Sequence, residues 1–358
     1  PPANIGQRKY DATAASMIAL LKYGTGLPFN RLAGLQRNLR IPLPASTQWD
    51  VIEAFASSVT PAYEELLRQA AAGEVLHNDD TTAKILELMG KRREKASQSN
   101  VATRTGIFTS GVVAVREGCK VALFFSGRQH AGENLSDVLK HRSEALTRPI
   151  QMCDALSRNL SAELKTIVAN CLAHARRKFV EIYDRFPDEC RYVVTAFKVV
   201  YRNEAIAIKG KLSPHERLQF HQQKSQVVMD ELHNWLGCQL NEKRVEPNSA
   251  LGDAITYMLN HWDKLTLFLR QAGAPLDNNL CERALKKAIL HRKNALFFKT
   301  QNGARVGDLY MSVIHTCELS GVSAFDYLVA LCRHRDAVTA NPRQWLPWNY
   351  QQAMGAAA

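Results

Sequence analysis

The sequence predicts a mixed α/β protein that also contains a long run of helices. Two β-rich runs, Gly106 to Val115 and Lys120 to Phe125, are separated by turn residues and predict a hairpin. A helical stretch follows, and then a short apolar run that ends on Asp154. Hairpin strands, a helix and a strand in this order are typical of a mixed α/β domain. From about residue 180 to 270 the apolar positions recur at helical period without strand signals.

The chain has 358 residues, which is enough for two or three structural units. Residues before Gly73 carry helices broken by glycine and proline, and Pro61 is expected to start a new one. Arg31, Arg37 and Arg40 lie among them, so a helix-turn-helix-like DNA-binding unit and a helical cap with a basic surface are both open. The predicted segments are a helical N-terminal region (1–72), the first part of the α/β core (73–180), a helical insertion (181–274), the second part of the core (275–340) and a C-terminal tail (341–358).

Composition and charge indicate a soluble globular protein with a polyanionic partner. Apolar residues make up 46% of the chain and charged residues 22%. The net charge of +12 favours nucleic acid as the partner, because lysine and arginine neutralise phosphates. A basic enzyme without such a partner is the alternative.

The cysteines and the start of the chain bear on its compartment and completeness. Eight scattered cysteines without a CxxC pair favour reduced, mostly buried thiols in a cytosolic protein. No apolar run approaches the roughly 20 residues of a membrane span, and no charged-then-apolar leader is found. Because the chain opens on Pro1-Pro2 rather than methionine, we expect a processed product or a fragment of something longer.

Three acids occupy comparable places in this order of elements. Asp79 or Asp80 ends one short strand, Asp154 ends another, and Glu282 lies in the first turn of a late helix. Such carboxylates can converge although they are far apart in sequence, and three of them would suit two divalent cations in phosphoryl transfer. Structural roles are also open, since Asp80 could close a turn and Asp154 could cap a helix.

The helix that carries Glu282 predicts one carboxylate surrounded by cations. Asn278 or Asn279 can cap its first turn, because an amide oxygen accepts free backbone N–H groups. Two interpretations of Glu282 follow from these residues alone. One is an i, i+4 salt bridge with Lys286, and the other is a metal ligand beside a bound polyanion.

Several motifs in order along nearly the whole chain resemble one known family. They are His77-Asn78-Asp79-Asp80-Thr81-Thr82, Gly106 to Gly111, Leu123 to Leu135, Gln151 to Asn159, Cys171-Leu172-Ala173-His174 to Phe179, Asp277-Asn278-Asn279-Leu280-Cys281-Glu282-Arg283-Ala284, and Arg292-Lys293-Asn294. The chain resembles the large, TnpC-type transposases of the insertion sequence sixty-six family, in the DDE superfamily. The resemblance implies a ribonuclease-H-like catalytic core, a mixed sheet with flanking helices, interrupted by an all-helical insertion before the glutamate. It also implies Mg²⁺-dependent strand cleavage and joining at transposon ends.

Carried over residue by residue, the catalytic and metal-binding acids are Asp79, Asp154 and Glu282, with Asp80 as the alternative to Asp79. Two Mg²⁺ ions are expected, and Mn²⁺ can substitute for them. Cys171 and His174 have the separation of half a zinc site, but they match a CxxH signature and are expected to organise the core instead. The cations expected to contact DNA phosphates, each with a solvated helix face as the alternative, are Arg176, Arg177, Arg283, Lys287, Arg292 and Lys293.

The resemblance also implies partners and a location. The partners are double-stranded DNA at transposon ends and target, further copies of the chain assembled on that DNA, and accessory transposition proteins. The location is the bacterial cytoplasm, associated with the nucleoid and not with a membrane. The family's usual N-terminal coiled coil and Cys/His zinc module are not found, which also favours a fragment. Two other functions stay open: a ribonuclease-H-like DNA nuclease that cuts without joining, and a catalytically silent DNA-binding remnant.

Overall fold

The computed structural model describes residues 9–90, 104–161 and 166–357, and it divides into two compact units. The first unit takes its residues from 1–147, 158–164 and 281–358, and the second from 148–157 and 165–280. Helices and strands are both present, so the predicted mixed α/β class is confirmed. The five predicted segments and the ribonuclease-H-like type of the core stay predictions.

Five strands and a larger number of helices lie in the described ranges. The strands are β1 (Val75–Thr82), β2 (Phe108–Arg116), β3 (Cys119–Gly127), β4 (Ile150–Cys153) and β5 (Ile167–Asn170). The α-helices are α1 (Ala12–Ala19), α2 (Phe29–Asn38), α3 (Ala45–Ala71), α4 (Ala131–Leu139), α5 (Leu172–Val180), α6 (Pro187–Lys209), α7 (Pro214–Lys224), α8 (Gln226–Asn241), α9 (Ala250–Asn260), α10 (Trp262–Leu265), α11 (Asn279–Ala295), α12 (Gln301–Leu319), α13 (Ala324–Arg333), α14 (Arg335–Ala340) and α15 (Tyr350–Ala357). Across the same ranges, we find no helix with both the length and the apolar character needed to cross a bilayer.

The N-terminal part of the first unit is helical, as predicted, but one boundary was wrong. Pro61 does not start a new helix, because α3 runs through it as one helix of 27 residues. Proline removes one backbone hydrogen bond from a helix interior. Buried residues on both sides of it, Val59, Ala62 and Leu66, belong to one apolar face. Burial of that face holds the helix together across the local defect.

Strands β1, β2 and β3 form an antiparallel sheet in the first unit. The predicted hairpin is confirmed: β2 pairs with β3 from Phe108 opposite Gly127 to Arg116 opposite Cys119. Its two turn residues, Glu117 and Gly118, both have positive φ, as a tight hairpin turn requires. Strand β1 pairs with β2 as far as Thr82. The expectation that Asp79 and Asp80 end the strand was therefore wrong, because the ladder continues beyond them.

Helix α12 lies along the outer edge of β3 and completes its hydrogen bonds. Three side chains four residues apart accept from alternate backbone N–H groups of the strand. Thr316 Oγ1 accepts from the Ala122 N–H at 3.0 Å, and Ser312 Oγ accepts from the Phe124 N–H at 2.9 Å. The Asp308 carboxylate accepts from the N–H of Ser126 at 2.6 Å and from its hydroxyl at 2.7 Å. The helical repeat of four residues thus matches the two-residue repeat of the strand edge.

The C-terminal segments pack back on the first unit. Trp345 and Tyr350 of the C-terminal tail are buried. The Tyr327 hydroxyl donates to the Trp345 carbonyl at 2.5 Å, and the Tyr327 ring packs edge-on against Tyr350.

The second unit combines two short strands with helices. Strands β4 and β5 are parallel, with Ile150 opposite Ile167 and Cys153 opposite Asn170. Between 181 and 274 the chain forms helices and no strand, as the helical period predicts. Buried residues of α6, α8 and α9, among them Phe197, Leu236 and Ile255, supply apolar contacts within this unit.

Candidate active site

Strand β1 directs its two acids to opposite faces of the sheet. Successive side chains on a strand alternate, and residues directly opposite in an antiparallel pair share a face. Asp79 lies opposite Gly111, and Asp80 lies opposite Ser110. The contacts of Gly111 and Ser110 therefore show which elements cover each acid's face.

Helix α11 covers the face to which Asp79 belongs. The Cys281 thiol donates to the Gly111 carbonyl at 3.3 Å. A Cβ added at Gly111 would lie 3.1 Å from Leu285 Cδ2 and 3.3 Å from Cys281 Sγ. Only a residue without a side chain lets the helix approach this closely. The first turn of α11, which carries Glu282 next to Cys281, thus lies over the strand pair at the level of Asp79.

Asp80 belongs to the other face, and its carboxylate binds other side chains of the first unit. Its carboxylate accepts from His130 Nδ1 at 2.8 Å and lies 3.5 Å from the Arg158 guanidinium, and its side chain is only 1% exposed. Ser110, across the ladder, accepts from the Asn134 side chain of α4 at 2.9 Å. These contacts favour Asp79 over Asp80 as the acid that shares a side with Glu282.

Asn159 helps to fix the position of Asp79. Its carbonyl accepts from the Asn78 side-chain amide at 2.8 Å, and its own amide reaches Asp79 Oδ1 at 3.4 Å. Asn159 is fully buried. The sequence motif ending at Asn159 gave no hint of this role, because the contact spans about eighty residues.

The cations predicted on α11 differ in their surroundings. Arg283 and Lys293 are exposed. Lys287 forms an ion pair with Glu318 at 2.9 Å. Arg292 donates to Thr81 Oγ1 at 3.1 Å and to the Thr82 hydroxyl at 2.6 Å, so it ties α11 to the end of β1.

The surroundings of Lys286 bear on the salt-bridge interpretation of Glu282. It is exposed and forms no ion pair with any residue in the described ranges, so the i, i+4 salt bridge with Glu282 is not made.

Asp154 lies in the second unit, directly after β4 as predicted. Its carboxylate accepts from the Leu156 N–H at 3.2 Å, which closes an Asx turn two residues long. It lines a cleft of about 470 Å³ together with His174, Lys178 and Tyr257. Burial, and secondarily the charge of Asp154, raise the pKa of Tyr257 to about 12, so this phenol stays protonated at neutral pH. The Lys178 ammonium sits 4.4 Å from the centre of the Tyr257 ring.

Cys171 and its neighbour tie two of the sequence motifs together. Cys171 Sγ accepts from the Asn278 N–H at 3.2 Å, and the Leu172 N–H donates to the Leu276 carbonyl at 3.0 Å. The Asp277 carboxylate then accepts from the backbone N–H of Asn279 at 3.0 Å, where α11 begins. These contacts join the motif at Cys171 to the motif at Asp277.

Arg176 and Arg177 line a second cleft of the second unit, of about 610 Å³. Both are exposed, and Lys198 and Tyr201 of α6 line it with them. Three cations around one opening suit phosphate groups. Lys198 and Tyr257 were not predicted from the sequence, because each lies on a helix of 181–274 that carries no motif.

Comparison with known proteins identifies the family. The family described as "Transposase IS66 family" matches residues 8–306. Two relatives from Sinorhizobium fredii (strain NBRC 101917 / NGR234), each described as an uncharacterized protein, are y4hP and y4jD. They are 28% identical over 350 residues and 27% identical over 355 residues. Each alignment covers 94% of this chain, but only 61% of y4hP and 65% of y4jD, so the chain spans less than two thirds of these relatives. Because the family match covers well over half of its 358 residues, the chain belongs to the IS66 transposase family, the insertion sequence sixty-six family that its motifs resemble.

Proposed function

We propose that the chain is the catalytic part of a DDE transposase, which cleaves DNA at the ends of an insertion sequence and joins the freed strand to a target. Asp79, Asp154 and Glu282 act together as its three acids, in a ribonuclease-H-like core into which residues 181–274 are inserted. The observation that carries the proposal is the packing of Cys281 against Gly111, the cross-strand partner of Asp79. Membership of a transposase family supports the choice of DNA as substrate.

The chemistry of the three side chains fits divalent magnesium. Carboxylate oxygens are hard ligands, which Mg²⁺ prefers, and Mn²⁺ accepts the same donors. Two bound ions would supply a lowered pKa for the attacking water or 3′-hydroxyl and a positive field at the leaving oxygen. The protein's own part is to hold Asp79 on the ladder through Asn159 and to hold Glu282 through the packing of α11.

The exposed cations would hold DNA by its phosphates. Arg176, Arg177, Arg283 and Lys293 are exposed, so phosphates can reach them from solvent. Lys287 and Arg292 already bind protein groups, and their part in DNA binding requires those contacts to be shared or exchanged. The chain would act on DNA together with other copies of itself and with accessory transposition proteins, and it would associate with the nucleoid.

The experiment is a metal-dependent cleavage assay on DNA that carries the element's ends. Glu282→Gln keeps the size of the side chain and removes its charge, so we expect Mg²⁺-dependent cleavage to be abolished. DNA binding, followed by fluorescence anisotropy at fixed salt, should change little. The matched control is Asp80→Asn, which alters the neighbouring acid on the opposite face; its cleavage rate per folded molecule should persist.

The outcomes separate the alternatives. Cleavage by Glu282→Gln at the wild-type rate would refute the assignment of that residue. Loss of cleavage in Asp80→Asn, with folding retained, would move the first acid to Asp80. Pre-cleaved ends supplied with target DNA test joining: cutting without joining would identify a nuclease, and neither activity in the wild type would identify a DNA-binding remnant.

A further inference from the structure

A cavity of about 890 Å³ in the first unit plays no part in the proposed chemistry. Its lining comes from the helical turn after α1, the starts of α2 and α3, Glu87 after β1, the loop between α11 and α12, and the start of α12. The volume is in the range of pockets that hold small organic groups. The lining residues used below are Lys22, Phe29, Trp49, Phe297, Glu53 and Glu87.

Aromatic rings make up much of the wall, and one of them is exposed. Phe29 and Trp49 are partly buried, whereas Phe297 is 44% exposed. The preceding residue, Leu296, is 61% exposed and has a φ of 67°, a left-handed conformation that side chains disfavour. The next residue, Phe298, is held by backbone hydrogen bonds to Lys84 and Leu86 at 2.8 and 2.9 Å. The chain is therefore anchored at Phe298, while Phe297 stays available at the cavity.

Lys22 brings a buried cation to the same cavity. It is only 6% exposed, and its Nζ lies 2.9 Å from His291 Nε2 and 5.1 Å from the centre of the Phe29 ring. No carboxylate of the described residues lies within ion-pair distance of it. Burial lowers the pKa of Lys22 to about 8, and burial together with Lys22 lowers the pKa of His291 to about 3. His291 is therefore a neutral acceptor of one Lys22 hydrogen, and the ammonium has further hydrogens to donate.

The acids of the cavity are already engaged by the start of α12. The Glu87 carboxylate accepts from the Gln301 N–H at 2.7 Å, and Glu53 accepts from the Asn302 side chain. The cavity thus offers a ligand flat aromatic surfaces and a hydrogen-bond donor with positive charge. A planar ring with a carbonyl oxygen matches both features.

We propose that this cavity binds one unpaired nucleobase of a DNA strand, stacked on the aromatic wall and accepting a hydrogen bond from Lys22 through a carbonyl oxygen. The proposal rests on the proposed function for the choice of DNA. Every base has a face that stacks on aromatic side chains, and bases drawn out of a duplex are held in pockets of this kind. Glu87 follows Asp79 by eight residues, so the wall lies at most ~28 Å from that acid. A stacked DNA strand spans that distance with about eight nucleotides.

The test measures binding of the full chain, without metal, to three labelled single strands of equal length. They are oligo(dT), oligo(dA), and a strand in which abasic sites replace all bases. Phe297→Ala should weaken binding to both base-bearing strands by about 5- to 150-fold, the usual contribution of one stacked base, and leave the abasic strand unchanged. Lys22→Met, which keeps most of the length of the side chain and removes a buried charge, should weaken binding to oligo(dT) more than binding to oligo(dA), because adenine has no carbonyl.

The matched control is Phe325→Ala, a partly buried phenylalanine of α13 outside the cavity lining, which should bind all three strands as the wild type does. Equal losses on abasic and base-bearing strands, or no loss in either cavity variant, would overturn the nucleobase proposal. No loss of binding in either cavity variant is also expected if the cavity holds a peptide of a partner protein. Failure of the wild type to bind any strand or duplex DNA would instead contradict the proposed function itself.

Discussion

A substitution at Gly111 is expected to change both the stability of the fold and the geometry of the proposed site. In Gly111→Ala the new Cβ would lie 3.1 and 3.2 Å from Leu285 Cδ2 and Cγ, and 3.3 Å from Cys281 Sγ. These separations are below ordinary van der Waals contact, so the Leu285 and Cys281 side chains, and α11 with them, are expected to shift by a few tenths of an ångström. Such overpacking costs about 1–3 kcal/mol of the free energy of unfolding. Since a 1 Å displacement costs on the order of 100-fold in rate, we expect cleavage to fall by roughly three- to tenfold.

Urea denaturation and the Mg²⁺-dependent cleavage assay measure the two effects. Gly127→Ala is the matched control, because it is a glycine of the same sheet with open space around the added Cβ; stability should stay equal or rise by less than about 1 kcal/mol. Leu285→Ala removes the two closest atoms and should offset part of the Gly111→Ala cost in the double variant, by about 0.5–3 kcal/mol. Strict additivity, or an unchanged Gly111→Ala protein, would refute this account of how α11 is placed.

Two further predictions concern stability. Burial raises the pKa of Asp308 to about 7, although the hydrogen bonds from Ser126 act in the opposite direction. The folded chain thus keeps a proton that the unfolded chain loses above pH 4, and the free energy of unfolding should fall as pH rises from about 4 to 7, by at most ~1.4 kcal/mol per pH unit. Asp308→Asn should remove this slope in urea denaturation across that range, and an equal slope in both proteins would contradict the assignment. Arg142 donates to the carbonyls of Ala71, Gly73 and Thr147 at 2.6–2.8 Å, so Arg142→Met should lower stability by about 2 kcal/mol in the same assay; a loss near zero would show that water replaces the guanidinium.

Local signals in the sequence predicted those features that a few neighbouring residues decide. The hairpin was predicted from β-rich runs on both sides of Arg116-Glu117-Gly118, and the structure has positive φ angles at Glu117 and Gly118. The choice between Asp79 and Asp80 could not be made in the same way. One residue of register exchanges the two faces of a strand, and the pairing that shows the register, Asp79 opposite Gly111, joins residues more than thirty positions apart.

The errors and omissions have a common physical cause, which is packing between distant segments. Pro61 is a local helix-breaking signal, but the apolar face of α3 is buried on both sides of it and overrides that signal. Lys198 and Tyr257 line clefts beside predicted site residues only because separate helices of the second unit fold together. No spacing rule in a single sequence connects them to those clefts.

The side chains of α12 along β3 also limit how copies of this protein can associate. A strand with free N–H groups at a sheet edge invites another strand to pair with it. At Ala122, Phe124 and Ser126 those groups already donate to Thr316, Ser312 and Asp308. Extension of the sheet from one molecule into the next is therefore blocked at this edge. Copies that associate at this edge would have to use helix faces, and in the folded protein the edge is protected against edge-to-edge aggregation.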